Sequence, residues 1–425
     1  METTPGEKAC EHRYMSREKI ESAYEKVQEL MHDGFVVETE GGSWLIPIHL
    51  VKKPDGRWRF CLDLRKLNLL TTQDNYPLPK IQTITDDLRD MRFFTKLDIK
   101  DGFFRVPLDE RSQYKTTFKI GTQCYKFVVL PMGYRNAPNI FQIRVMENIL
   151  RELLGKCCVV YIDDILIYSK DMTSHKAHLT AVMKKLKEYG MEINWKKTVF
   201  ATEEMDFLGY KIGYNTIRPL ESRVQGIQDY PAPTNKKQLR RFIGLLGYDR
   251  RFLVNISEIL KPLHNLTKKD EAWKWEEIHQ RAFEEAKAKL ISATELVIPD
   301  YTKRFTLETD ASDTGIGAVL KQEAGVIAYY SATLTDTQQR YAITEKELYA
   351  VIWGMEKCKY YLQGVEFDLI TDHQAITYYH TKPEFGNARI RRWYETLDEY
   401  SFVPKYRRGE EMIQADALSR SLRVS

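Results

Sequence analysis

Two adjacent carboxylates, Asp163 and Asp164, lie inside VVYIDDILIYSK, between two runs of strand-forming residues. Neighbouring like charges repel, and strands disfavour Asp, so either a turn exposes the pair to water or a cation compensates it. Asp98 ends another apolar run, FFTKLDIKDGFF. Successive side chains on a strand point to opposite faces, so Asp163 and Asp164 can share one site only where the backbone turns sharply, as in a tight hairpin. Two or three carboxylates from adjacent strands suit a pair of Mg²⁺ ions about 4 Å apart, which neutralise charge on a phosphoryl group in transfer. The bland alternative is a solvated turn, and the flanking VVYI and ILIY argue against it.

Four more acids repeat the theme. Asp310 ends FTLETD, Glu347 lies in TEKELYAVIWGMEKCKYYL, Asp372 ends FDLITD and Asp416 opens ADALSR. In the second of these stretches Leu348, Val351, Ile352 and Met355 make a buried helical stripe, leaving Glu347 at its margin and able to face the end of a sheet. Acids on two strand ends and two helices fit a second two-metal site. His175 and His178 have an acceptable metal spacing, but no Cys or acidic pattern completes a zinc site.

The elements that must position these groups can be read coarsely. A chain of 425 residues is too long for one core, and two to four domains are expected. It is 43% hydrophobic and 29% charged, an ordinary globular balance, and a net charge of +4 is too small to mark a nucleic-acid binder without local clustering. No apolar run reaches the ~18 residues of a membrane helix, and METTPGEKACEHRY lacks the apolar core of a signal peptide. Six cysteines without a C-x-x-C pair argue against a disulfide framework and for a reducing compartment. Ser16 to His32 reads as a helix stopped by Asp33-Gly34, and Asp55-Gly56 reads as the tip of a hairpin. Leu179, Val182, Met183 and Leu186 define another helix, with Gly190 in capping position. After FLGYKIG the composition shifts, so a boundary is expected near residue 215, followed by a helix from Lys236 with Leu239, Phe242, Ile243 and Leu246 on one face. A third region is expected from about Tyr301, where RFTLETDASDTGIGAVL alternates like a strand and turns at Gly315. Trp273 and Trp275 read as core. There is no internal repeat.

LVKKPDGRWRFCLDLRKLN, YPLPKI, FFTKLDIKDGFFRVPLDE, KTTFKI, VLPMGYRNAPNIFQ, VVYIDDILIYSK and FLGYKI occur in the order seen in reverse transcriptases, and their spacing resembles the Ty3/gypsy branch of long-terminal-repeat retrotransposons. TDAS, EKEL, TDH and ADALSR resemble RNase H. The similarity runs over nearly the whole chain. It implies an α+β multidomain fold, a right-hand polymerase of fingers, palm and thumb followed by an α/β RNase H-like domain, divided as fingers and palm 1–214, thumb and linker 215–300, and RNase H 301–425. The implied polymerase carboxylates are Asp98, Asp163 and Asp164, with the Ile99 backbone serving the incoming triphosphate and a metal. Lys53 and Arg59 match the basic residues that the family places on that triphosphate. Phe103 matches an aromatic beneath its sugar, which favours dNTPs over rNTPs. Met132 stands where the family often has an aromatic and other reverse transcriptases have Gln, so its sugar contact departs from the pattern. Asp310, Glu347, Asp372 and Asp416 are the implied RNase H metal acids.

The helix expected from Lys236 carries Lys237, Arg240, Arg241, Arg250 and Arg251 off its apolar stripe and resembles a thumb tracking a duplex backbone, a contact that would weaken steeply with salt. RIRRWYE and KYRRG are candidates for holding hybrid near the second site. Arg408 and Met412 depart from the family's Y-R-P-G and Asn, a change that either weakens substrate contact or reflects deliberate alteration and that leaves the four metal acids in place. The resemblance implies two Mg²⁺ per site, replaceable by Mn²⁺, with an RNA template, a DNA primer, dNTPs and an RNA·DNA hybrid as partners. It implies a cytoplasmic location within virus-like particles and a piece of a longer polyprotein, while the monomeric or dimeric state stays open. Two rival readings are a domesticated nucleic-acid-binding protein and a polymerase with impaired RNase H. Retention of all seven acids favours an enzyme.

Overall fold

The computed structural model describes residues 1–4, 16–41, 44–52, 58–75, 79–372 and 388–407. Lys53, the Asp55-Gly56 tip, Arg408, Met412 and Asp416 lie outside the described residues. The chain forms two compact units, one of Met1–Asp87 with Met91–Met205, the other of Leu88–Asp90 with Asp206–Ser425.

The first unit holds β1 (Val36–Thr39), β2 (Ile48–Lys52), β3 (Trp58–Leu62), β4 (Phe93–Asp98), β5 (Phe118–Ile120), β6 (Gln123–Phe127), β7 (Cys158–Tyr161), β8 (Asp164–Ser169) and β9 (Val199–Thr202). Ser16 precedes helix α1 (Arg17–His32), and Gly34, at φ +74°, lets the chain leave it in a left-handed turn. Ala23 and Val27 of α1 are fully buried against Val36, Ile48, Phe118 and Phe127. β2 and β3 form the expected antiparallel hairpin, and β1, β6 and β5 form a second small sheet.

A four-stranded antiparallel sheet, ordered β7-β8-β4-β9, carries the first site. Ile165, Ile167 and Leu166 of β8 are all buried, so this strand is covered on both faces, and each such side chain contributes about 1.5–3 kcal/mol. Helix α2 (Met172–Glu188) covers one face with Val182 and Leu186, joined by partly buried Leu179. The Asp171 carboxylate caps it by accepting the Ser174 N–H. Buried His175 lies between the Thr95 and Ser169 hydroxyls, and His178 also meets Ser169. Both histidines are thus accounted for by hydrogen bonds.

The second unit begins with β10 (Met205–Phe207), β11 (Tyr210–Gly213) and β12 (Thr216–Pro219), closed by β13 (Leu296–Val297). The expected boundary near 215 therefore falls at the tip of the β11–β12 hairpin, inside this unit. The side chain of Asn235 caps α3 (Lys236–Tyr248), which buries Leu239, Phe242 and Leu246 against Phe283 and Leu290 of α4 (Glu277–Ile291). Trp273 and Trp275 pack on the edge of this core, as expected.

The last sheet is ordered β16-β15-β14-β17-β18, with β14 (Phe305–Ala311), β15 (Gly315–Gln322), β16 (Gly325–Thr333), β17 (Glu366–Thr371) and β18 (Ser401–Tyr406). β14 is antiparallel to β15 and parallel to β17. Helix α5 (Ile343–Lys357) buries the predicted stripe Leu348, Val351, Ile352 and Met355 on this sheet. Helix α6 (Ala388–Leu397) adds Tyr394 and Leu397 to the same core. The sheet is tied to the preceding helices within the unit: Ser257 Oγ donates to the Ser331 carbonyl at 2.6 Å, and Thr314 Oγ1 donates to Glu258 at 2.7 Å.

Candidate active sites

The first site is made by register. Asp98, the last residue of β4, pairs across the ladder with Asp164, the first of β8. Tyr161 pairs with Asp164, so Ile162 and Asp163 alone make the hairpin turn, which is the sharp reversal that two adjacent acids require. Burial pushes the Asp163 carboxyl up to about 6, helped by Asp164 and Asp98 and opposed by Lys197. Burial also raises Asp164, with Asp98 adding to the rise and Lys96 and Lys197 opposing it. Asp163 Oδ1 is buried with no hydrogen-bond partner. Lys197 Nζ lies 3.3 Å from Asp98 Oδ2 and, together with Lys96, supplies compensating charge. A buried, unpartnered carboxylate oxygen beside two further carboxylates is the donor set a hard divalent cation takes.

Asp98 and Asp163 open onto a cleft of about 570 Å³ whose walls include Arg59, Ile99, Phe103, Met132 and Lys197. The predicted contacts thus gather in one place, except Lys53, which lies outside the described residues. Phe103 stands on the one-turn helix Gly102–Arg105 with its ring 5.3 Å from that of fully buried Phe141. Gly102 is required there, because a Cβ would come within 2.7 Å of the Phe141 ring. Met132 is about half exposed at the rim.

The second site joins three elements of the other unit. Asp310 near the end of β14, Glu347 on α5 and Asp372 just after β17 bring one carboxylate oxygen each to within 4.8 Å of one another. Burial pushes Glu347 up to about 10, reinforced by a hydrogen bond with Asp372 and by the charges of Asp372 and Asp310. Glu347 Oε2 and Asp372 Oδ1 are buried without partners. This donor set also fits a divalent cation. Asp416, the fourth predicted acid, lies outside the described residues.

The predicted basic surface is divided. α3 ends at Tyr248, so Arg250 and Arg251 stand on a separate turn, Arg250–Phe252, rather than on the helix. Arg250 is drawn inward: its guanidinium reaches Ser257 and donates to the Ser331 carbonyl at 2.9 Å. Arg251 lies over the Phe252 ring, and Arg240 donates to the Thr267 carbonyl at 2.8 Å. Lys237 and Arg241 are exposed on α3. Of the C-terminal basic stretches, Arg389 pairs with Glu345 and stacks on Tyr341, Lys405 pairs with Asp368, and Arg407 with Glu308. Sequence reasoning missed Lys197 and also Gln142, whose amide meets the Asp163-Asp164 hairpin. Lys197 carried no signal, because it acts on a segment distant in sequence, whereas Gln142 closes the VLPMGYRNAPNIFQ block but meets a residue 20 positions further on.

Carboxylates on a palm-like antiparallel sheet, followed by an acid triad on a mixed five-stranded sheet, define a polymerase palm joined to an RNase H-type nuclease. Residues 51–212 match the family Reverse transcriptase (RNA-dependent DNA polymerase), and residues 300–400 match the RNase H-like domain found in reverse transcriptase. The retrovirus-related Pol polyprotein from transposon 297 of Drosophila melanogaster is 38% identical over 93% of this chain and 38% of its own length. The corresponding polyprotein from transposon gypsy of the same organism is 35% identical over 93% of this chain and 40% of its own length. A foamy viral protease-reverse transcriptase structure, in complex with double-stranded DNA, is similar with a TM-score of 0.85 and 25% identity over 95% of this chain and 72% of that one. The chain thus carries a reverse transcriptase domain and an RNase H-like domain similar to those of Ty3/gypsy-type Pol polyproteins, and it spans about two fifths of the length of these two polyproteins.

Proposed function

We propose that the chain copies RNA, and then DNA, into DNA by two-metal nucleotidyl transfer and cleaves the RNA strand of RNA·DNA hybrids. The observation that carries this reading is the pair of separate carboxylate groups, one in each unit, each with at least one buried oxygen that no protein group satisfies. Asp98, Asp163, Asp164 and the Ile99 carbonyl would hold the ions of the first site, and Asp310, Glu347, Asp372 and Asp416 those of the second. Bound Mg²⁺, or Mn²⁺ in its place, stabilises charge on the phosphoryl group and favours the deprotonated attacking oxygen.

The chain's own residues do the rest. Arg59, in the cleft wall, meets the triphosphate and fixes it by charge, and Lys53 takes the same role on the strength of the sequence resemblance. Phe103 lies beneath the sugar, and Phe141 behind it leaves the ring no room to retreat from a 2′-hydroxyl. Met132 borders the same sugar. Lys237 and Arg241 bind duplex phosphates. In the second unit the acids act on the RNA strand, which the 2′-hydroxyl distinguishes from DNA. The double-stranded DNA bound by the foamy viral relative supports a duplex as the ligand of this fold. We assign fingers and palm to the first unit, and thumb and RNase H to the second.

The test is a labelled DNA primer on a longer, separately labelled RNA template, incubated with Mg²⁺ and all four dNTPs. Primer extension with RNA shortening is expected. A folded sample that binds the hybrid and does neither would contradict the proposal.

A further inference from the structure

Gln142 belongs to the π-helical segment Ile140–Glu147 and is fully buried, yet nothing in the nucleotidyl-transfer scheme uses it. Its Oε1 accepts the Ile162 N–H, and its Nε2 donates to the Val160 carbonyl at 3.0 Å and to Glu147 Oε1 at 3.4 Å. A single orientation of the amide satisfies this set, since exchanging O and N would set donor against donor and acceptor against acceptor. Val160 and Ile162 flank Tyr161, whose backbone faces β8 and pairs with Asp164. Their own N–H and C=O therefore point to the outer edge of β7, the edge strand of its sheet. A carbonyl and the N–H two residues later are what a neighbouring strand would pair. The carboxamide does this in place of a strand.

That edge needs holding. Ile162 sits at φ +57°, in the left-handed region, where a β-branched residue is strained. It is the first central residue of a two-residue hairpin turn, a position that glycine usually takes when φ is positive. The next residue is Asp163. Gln142 also adjoins Phe141, so one helical segment backs both the aromatic floor of the cleft and the carboxylate turn.

We propose that Gln142 is a positioning residue for polymerisation: it clamps the strained Ile162 turn and thereby fixes the direction in which Asp163 and Asp164 leave the hairpin. This rests on the polymerase reading above. The segment's departure from α-helical pitch fits the same role, since π-helical turns concentrate at functional sites.

Gln142→Met keeps the side chain's length and removes both bonds to the hairpin. In single-nucleotide extension by the full chain, kcat is expected to fall roughly tenfold to a hundredfold, the cost of a small misplacement of reacting groups. KM for the dNTP and RNA cleavage should change by less than about threefold. Adding Ile162→Gly should recover most of the lost kcat, because glycine adopts a positive φ without a clamp. A merely structural Gln142 would not give that recovery. Unchanged kcat in folded Gln142→Met, or a loss that Ile162→Gly does not relieve, overturns the proposal. Should Gln142→Met fail to fold, hydrogen exchange on the unaltered chain decides. An Ile162 amide protected like the interior of β8 supports the clamp, and one exchanging like an open turn refutes it. An unaltered chain that extends no primer overturns the polymerase assignment and this proposal together, whereas active parent and unimpaired variant overturn this proposal alone.

Discussion

Burial and like charge meet at Asp163 and at Glu347, and both are pushed well above the usual carboxylate range. A pair of Asp residues among β-branched neighbours contradicts local propensity, which is why the first site was legible in the sequence. Lys197 and Gln142 were not, since a lysine in NWKKT and a glutamine in NIFQ look like ordinary surface and helix residues until the chain brings them to Asp98 and Ile162. Phe103 yields a residue-level expectation. Phe103→Val should increase ribonucleotide incorporation relative to deoxyribonucleotide by about tenfold to a hundredfold, the range over which an apolar wall discriminates one hydroxyl. Competition between rNTPs and dNTPs measures it, and an unchanged ratio would remove Phe103 from the sugar contact. Asp249 gives a second expectation. It is fully buried, with Arg223 at 3.5 Å, and burial pushes its carboxyl up to about 6 despite that partner. A folded pKa above the unfolded one means the native state binds more protons, so the contribution of Asp249 is most favourable below about pH 4 and is lost as pH rises through about 6. Asp249→Asn should remove this loss, so the difference between parent and variant melting curves should grow from pH 4 to 6 and then level off. Parallel curves would contradict the shift.

At the scale of elements, Gly354 decides how closely α5 approaches its sheet. A Cβ there would lie 2.9 Å from Thr309 Cγ2 and 3.1 Å from Ala318 Cβ. Gly354→Ala should therefore cost about 1–3 kcal/mol as overpacking and, because Glu347 rides on the same helix, reduce RNA cleavage while sparing primer extension. Thermal unfolding and the two assays check it, and an unaffected variant would mean that the helix moves freely on the sheet. The helices themselves were legible where an apolar stripe met a cap, as in α2 with Val182, Leu186 and Gly190. One element reading failed for a physical reason. The turn after Tyr248 separates Arg250 and Arg251 from α3, and Arg250 then meets Ser331, a contact no local pattern announces. The composition change near residue 215 marks the tip of a hairpin, whereas the compact units divide at Met205, where the chain passes from the palm sheet into β11 and β12.

At the scale of the molecule, two carboxylate groups occupy two separate compact units, and each unit has its own core. On the proposed function, such separation should make the two activities dissociable by mutation. Asp164→Asn should reduce primer extension by on the order of 10²–10³ or more, the scale of losing one electrostatic group that stabilises the transition state, and leave RNA cleavage intact. Glu347→Gln should do the reverse. The measurement that bears most directly on the account is therefore the dual-labelled RNA·DNA assay run on the parent chain and these two variants side by side, with circular dichroism to confirm folding. The account predicts crossed losses, extension in one variant and RNA cleavage in the other. Loss of both activities in either folded variant would contradict the assignment of two independent sites.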